Sequence, residues 1–126
     1  MDLLKLSKAN IEDQHICCAI SDKRCADGYR LKKDWLKTEF KNGYSFQKAD
    51  VRGKVFIEYG PIEQSWLPLT GANFMVINCF WVSGQFKGRG FGKELLQQCF
   101  DDARTMDGVV AVSSDKKRPF MSDPKF

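Results

Sequence analysis

Gly88, Gly90 and Gly92 alternate with other residues just where a helical pattern is about to begin, and Lys87, Arg89 and Lys93 stand among them. Residues of these types in this order can bind an anion. A strand that ends in glycines and leads into a helix leaves several backbone N–H groups unpaired and pointing the same way, at the positive end of the helix dipole. Phosphate is the usual guest. The absent side chains also let a bulky ligand approach the main chain, whereas a merely tight turn would need only one glycine.

Spacing narrows the choice of phosphate ligand. A P-loop needs G-x-x-x-x-G-K-[ST], but Lys87 stands five positions before Gly92, and Glu94 follows Lys93. A dinucleotide fingerprint G-x-G-x-x-G starting at Gly88 needs glycine at position 93, which is lysine. Neither motif is present.

The elements around the turn must hold it in place. Before it, Asn73 to Ser83 (NFMVINCFWVS) is almost continuously apolar, as expected of a strand covered on both faces at the centre of a sheet. After it, Phe91, Leu95, Leu96, Cys99, Phe100, Ala103 and Met106 recur at helical spacing. Asp107-Gly108 ends that helix and Val109 to Val112 forms a short buried strand, so strand, helix and strand make a crossover with parallel strands.

Upstream, Leu3 to Leu6 reads as a strand, and Asn10 caps a helix marked by Ile11, Ile16 and Ile20. A second helix, Tyr29 to Lys41, sets Leu31, Trp35, Leu36 and Phe40 on one side and stops at Asn42-Gly43. Tyr44 to Val51 and Lys54 to Tyr59 then alternate as paired strands joined across Arg52-Gly53. Gly60 to Gly71 contains two prolines and must leave the sheet.

Composition sets the outer bounds. At 126 residues the chain holds one domain, 1–126, and its interspersed charges and many aromatics are those of a globular protein. Its apolar runs are too short to span a bilayer and its N-terminus lacks the pattern of a signal peptide, which points to the cytoplasm and away from membranes. Cys17, Cys18, Cys25, Cys79 and Cys99 form no C-x-x-C pair, and His15 is the sole histidine, so reduced thiols are expected and no metal site. The net charge of +4 is concentrated at the glycine turn and at Lys116, Lys117 and Arg118, which suits a small polyanion better than nucleic acid.

The run from Val82 to Gly92 (VSGQFKGRGFG) resembles the signature V-x-P-x-x-[RQ]-x-x-G-x-[GA] of the GNAT superfamily of acetyl-coenzyme A dependent N-acetyltransferases. It has Lys87 where Arg or Gln is usual and Gly84 in place of a common Pro. Lysine keeps the charge but not the bidentate geometry. A frame shifted to begin at Gln85 also satisfies Q-x-x-G-x-G; the later frame keeps Val82 and Leu95-Leu96 in register. Two helices, a strand pair, the long strand, the glycine turn, its helix and a further strand follow the order of that superfamily. Ile77 to Gly84 and Lys117 to Pro124 resemble, more narrowly, its YoaP-like bacterial branch.

The resemblance implies an α/β (α+β) fold with a mixed, mostly antiparallel sheet built around the strand, glycine turn, helix and strand. It implies that acetyl-CoA is the co-substrate and a primary amine, on a small molecule or peptide, the acceptor. Lys87, Gly88, Arg89, Gly90, Phe91, Gly92 and Lys93 would hold the pyrophosphate. The main chain of Phe80, Trp81 and Val82 would pair with the pantetheine arm, and an N–H near Val82 would face the oxyanion. The glutamate that some members carry on the long strand is Val76 here, which leaves Glu58 and Glu63 as candidate bases, each ordinarily read as a solvated carboxylate. Cys79 reads as a small core residue. The family's last helix and two strands have no counterpart after Asp123-Pro124, so the domain is expected to be incomplete at its C-terminus and to associate, with another copy or with a missing segment, to cover its sheet. A coenzyme-binding module without turnover, or an inactive truncated product, is the alternative; a nucleic-acid binder is the more distant one.

Overall fold

The structure, a computed structural model, describes residues 3–16, 26–51, 53–65 and 67–113. Among the described residues seven helices and strands follow one another: β1 (Leu3–Lys5), α1 (Ala26–Glu39), β2 (Ser45–Ala49), β3 (Val55–Pro61), β4 (Phe74–Val82), α2 (Phe91–Asp102) and β5 (Gly108–Ala111). Their strands lie in one sheet in the order β1-β2-β3-β4-β5. The first four are antiparallel neighbours, and β5 runs parallel to β4 as the α2 crossover requires.

The strand expected at the centre of the sheet lies beside it. β3 takes the middle position, and β4 lies between β3 and β5. Only Met75, Val76 and Ile77 of β4 are buried, whereas Trp81 is 45% exposed. The apolar run is continuous because its first half fills the core and its second half lies against α2 on one face; only the first half has a strand on either side. β2 is buried along its whole length and β3 from Val55 to Gly60, as strands covered on both faces must be.

Alternation sorts the core into two clusters. Val55, Ile57 and Tyr59 of β3 join Met75 and Ile77 of β4 against Phe91, Leu95, Cys99 and Ala103. On the opposite face Phe46 and Phe56 stack with ring centroids 5.1 Å apart, packed with Leu36 of α1 and with Leu6, Ile11 and Ile16. Leu31 is an exception to the expected face of α1, being 69% exposed. It lies five residues before Leu36, roughly 140° around the helix, so it cannot share that residue's burial.

The helix expected from Ile11 is, within the described residues, a single 3-10 turn over Ile11–Asp13 that gives way to extended backbone at Gln14. Asn10 does not cap it. Its Oδ1 accepts from Ser7 N–H at 2.8 Å and its Nδ2 donates to Lys5 C=O at 3.2 Å, so the side chain is committed to the preceding bend. Residues 17–25 and 114–126 lie outside the described residues, and with them Ile20, Cys17, Cys18, Cys25, the basic cluster at Lys116 and the helix start at Asp123. α1 ends as its sequence predicts, in a 3-10 turn over Phe40–Asn42 and then Gly43 in the left-handed region. No helix among the described residues is long and apolar enough to cross a membrane.

Candidate functional site

After Val82 the backbone makes a 3-10 turn over Gly84–Phe86, extends at Lys87 and enters α2 through Gly88 and Gly90. Both glycines are left-handed, at φ +79° and +82°, a conformation that side chains strain. The first hydrogen bond of α2 runs from Glu94 N–H to Gly90 C=O at 3.1 Å, and no side chain caps the helix. The N–H groups of Phe91, Gly92 and Lys93 therefore project from its positive end without helical partners. Lys87, Gly88, Arg89, Gly90 and Lys93 are exposed around them, and nothing stands within 4 Å of the position a Cβ would take on Gly84 or Gly88. Anion-binding groups thus border open space.

Beneath, the turn is anchored by aromatic packing. The ring of Phe86 meets Phe91 edge-on at 5.9 Å, carries the Arg89 guanidinium 5.8 Å from its centroid, and presses on Gly53 in the β2–β3 hairpin. His15 Nε2 donates to Gly53 C=O at 2.8 Å, tying the same hairpin from the other side. Phe91 is buried, so it offers its main chain alone to a ligand.

Among the described residues, the strand leading into the turn is paired with β5 over its first half alone. β4 and β5 pair only from Phe74↔Gly108 to Ile77↔Ala111. Along the other edge Ser83 N–H bonds Lys54 C=O at 2.9 Å, next to the Val55↔Val82 pair. In an antiparallel ladder the hydrogen-bonded pairs alternate, so Trp81 turns its main chain to β3 while Phe80 and Val82 direct theirs to the side that β5 has left. A bulge at Asn78, which has no Cα partner between Glu58↔Cys79 and Tyr59↔Ile77, sets this phase. Gly92 seats the start of α2 on this stretch: an added Cβ would lie 3.6 Å from Val82 and 3.7 Å from Phe80. Strand edge and glycine turn therefore form one continuous surface.

The structure separates the two glutamates singled out in the sequence. Glu58 is buried on the α1 face beside Cys79, where Lys32 donates to Oε2 at 2.7 Å and Tyr44 to Oε1 at 2.5 Å. Glu63 is exposed and accepts from Asn73 N–H at 2.6 Å, a bond that holds its carboxyl below the usual range. Asn73 precedes β4 and the glycine turn follows it, so a strand of nine residues, about 30 Å, lies between them. Glu58 belongs to the neighbourhood of the half-paired edge and Glu63 does not.

Two members of that neighbourhood, Tyr44 and Asn78, escape a reading of the sequence. Burial, then the Glu58 carboxylate, pushes the Tyr44 phenol up, so it remains a donor. Asn78 Nδ2 donates to Tyr44 Oη at 3.1 Å, whereas Asn78 Oδ1 is buried and, among the described residues, accepts no hydrogen bond. A polar residue inside the run FMVINCFWV is the signal that marks the bulge.

Residues 10–118 match the family model for the acetyltransferase (GNAT) family. This chain belongs to that family. A curated relative of this GNAT chain, the uncharacterized N-acetyltransferase YoaP of Bacillus subtilis (strain 168), is 44% identical to it over 128 aligned residues. The match takes in 100% of this chain and 51% of YoaP, so the chain spans about half the length of that relative. Among solved structures, the aminoglycoside N-acetyltransferase AAC(6')-Iy in complex with a CoA-containing bisubstrate analog superposes with TM-score 0.69 at 12% identity, covering 92% of this chain and 81% of that one. A predicted acetyltransferase from Clostridium acetobutylicum, solved with acetyl-CoA, gives TM-score 0.60 at 15% identity, covering 94% and 84%. These likenesses establish the GNAT fold, with the bulge, half-paired edge and glycine turn lying in one path through it.

Proposed function

We propose that this chain is the coenzyme-binding body of an N-acetyltransferase that uses acetyl-CoA to acylate a primary amine. The observation that carries the reading is the parting of β4 from β5 after Ile77, among the described residues, on a strand that runs into the uncapped start of α2. The fit is chemical as well as topological. An extended arm bearing amides can pair with a free strand edge, and a diphosphate suits N–H groups at a helix start flanked by cations. Solved neighbours of the same fold hold acetyl-CoA or a CoA-containing analog, which supports the assignment.

The residues divide the work. The N–H groups of Phe91, Gly92 and Lys93 take the diphosphate, and Lys87, Arg89 and Lys93 neutralise it as point charges or forks. Phe80 and Val82 align the arm through main-chain bonds, and the Val82 N–H, directed away from β3, meets a carbonyl oxygen. When bound, acetyl-CoA supplies an acetyl group activated as a thioester. Glu58, buried and bonded to Lys32 and Tyr44, fixes Tyr44 beside the bulge.

Calorimetry with acetyl-CoA tests the reading, alongside thiol release in the presence of amines. Saturable binding is expected, weakened about tenfold or more by Gly90→Val, which cannot hold φ +82° without strain. Unchanged affinity in a folded Gly90→Val chain would refute the placement of the coenzyme. Binding without amine-dependent thiol release would identify a module that holds the coenzyme without turnover.

A further inference from the structure

Lys48 follows Phe46 by two residues in β2, so it shares the α1 face of the sheet, and it is 1% exposed. Its ammonium turns toward the end of the strand. Nζ donates to Ala49 C=O at 3.0 Å, to Val51 C=O at 3.4 Å and to Gln14 Oε1 at 3.1 Å. All three are neutral oxygens. Burial works against the charge and Asp50 works for it. A methionine would fill the same space without losing the hydration of an ammonium, so packing does not account for a lysine here. The oxygens that the ammonium gathers do.

Those oxygens belong to the β2–β3 hairpin and to the segment that crosses it. The β2–β3 register ends at Lys48↔Phe56, and beyond it turns and side chains shape the loop. Val51 N–H folds back on Ala49 C=O at 2.8 Å, and His15, next to Gln14, bonds Gly53 C=O. Gly53 in turn lies so close under the Phe86 ring that a Cβ would not fit between them. Phe86 meets Phe91 at the start of α2 and carries Arg89. Lys48 thus stands at the base of a contiguous path that ends at the N–H groups of the glycine turn.

We propose that Lys48 is a positioning residue for the coenzyme: its ammonium holds the hairpin in the shape that seats Phe86, and Phe86 sets Arg89 and the start of α2. This rests on the acetyltransferase reading of the glycine turn. Lys48 is buried beneath the sheet's face and touches no ligand itself. Its influence on the diphosphate site passes through Phe86, a dependence that a general loosening of the fold would not show.

A double-mutant cycle on acetyl-CoA affinity, read by calorimetry, tests this. Lys48→Met is expected to raise the dissociation constant about fivefold, and Phe86→Leu by as much or more. In the double variant the constant should stay within about twofold of that of Phe86→Leu, because the path is already cut. Unaltered affinity in either folded single variant, or losses that multiply in the double variant, overturns the inference and leaves the coenzyme site standing. Failure of the unaltered chain to bind acetyl-CoA overturns both. Should Lys48→Met not fold, Lys48→Gln, which keeps N–H donors on a shorter stem, takes its place in the cycle and is judged by the same outcomes.

Discussion

Glu58 shows how one residue's phase decides its role. It lies two positions after Phe56, so it must share the buried α1 face of that ring. A solvated reading of this carboxylate therefore fails, on evidence already present in the strand's alternation. The partners were not legible, because Lys32 and Tyr44 come from a helix and a strand start whose approach depends on the tertiary fold. Glu58→Gln keeps the shape, removes the charge and strands the partly exposed Lys32 ammonium. We expect a loss of about 1–3 kcal/mol in urea unfolding, with Lys32→Met in the same background recovering part of it. An unchanged midpoint would show that the pair contributes nothing net.

At the scale of elements, the strand, turn, helix and strand were readable because each boundary carries its own chemistry: apolar run, glycines, helical spacing, Asp107-Gly108. What the spacing could not show is how the turn is held. Phe86 looks like a loop residue, yet it bridges the β2–β3 hairpin to the start of α2. A Cβ on Gly53 would stand 2.2 Å from Phe86 Cε2, so Gly53→Ala must displace that ring. Acetyl-CoA affinity is then expected to fall severalfold although Gly53 lies on a different element, with a stability cost of about 1–3 kcal/mol. Calorimetry and thermal unfolding of the variant measure both effects; an unperturbed affinity would show that the turn does not depend on this prop. The misplaced centre of the sheet has a related origin, since an apolar run reports burial and cannot say which strand flanks it.

Across the whole molecule, the two faces of the sheet each hold a tyrosine that resists ionisation. For Tyr44 the first cause is burial and then the Glu58 carboxylate; for Tyr59 it is burial and then the hydrogen bond it donates to Asp102 of α2. Both phenols keep their protons in the folded state, whereas the unfolded chain loses them near pH 10. The linkage sign follows: stability is unaffected by these groups below about pH 10 and declines as pH rises past it. At the acid end Glu12, held from 4.5 down to about 2 by hydrogen bonds first from Arg30 and then from Lys37, contributes above its unfolded value and loses that contribution as pH falls through this range. It is exposed, so the effect is small and salt-sensitive. Urea midpoints from neutral to strongly alkaline pH, followed together with phenolate absorbance, should fall as ionisation appears; ionisation of all three tyrosines before any unfolding would contradict the packing.

The parting of β4 from β5 bears on how this family can vary. A ligand gripped through peptide groups at Phe80 and Val82 takes no notice of what those residues carry, so drift along the strand erases letters without loosening the hold. Such a hold depends on the hydrogen-bonding phase that the bulge at Asn78 sets for the backbone beyond it.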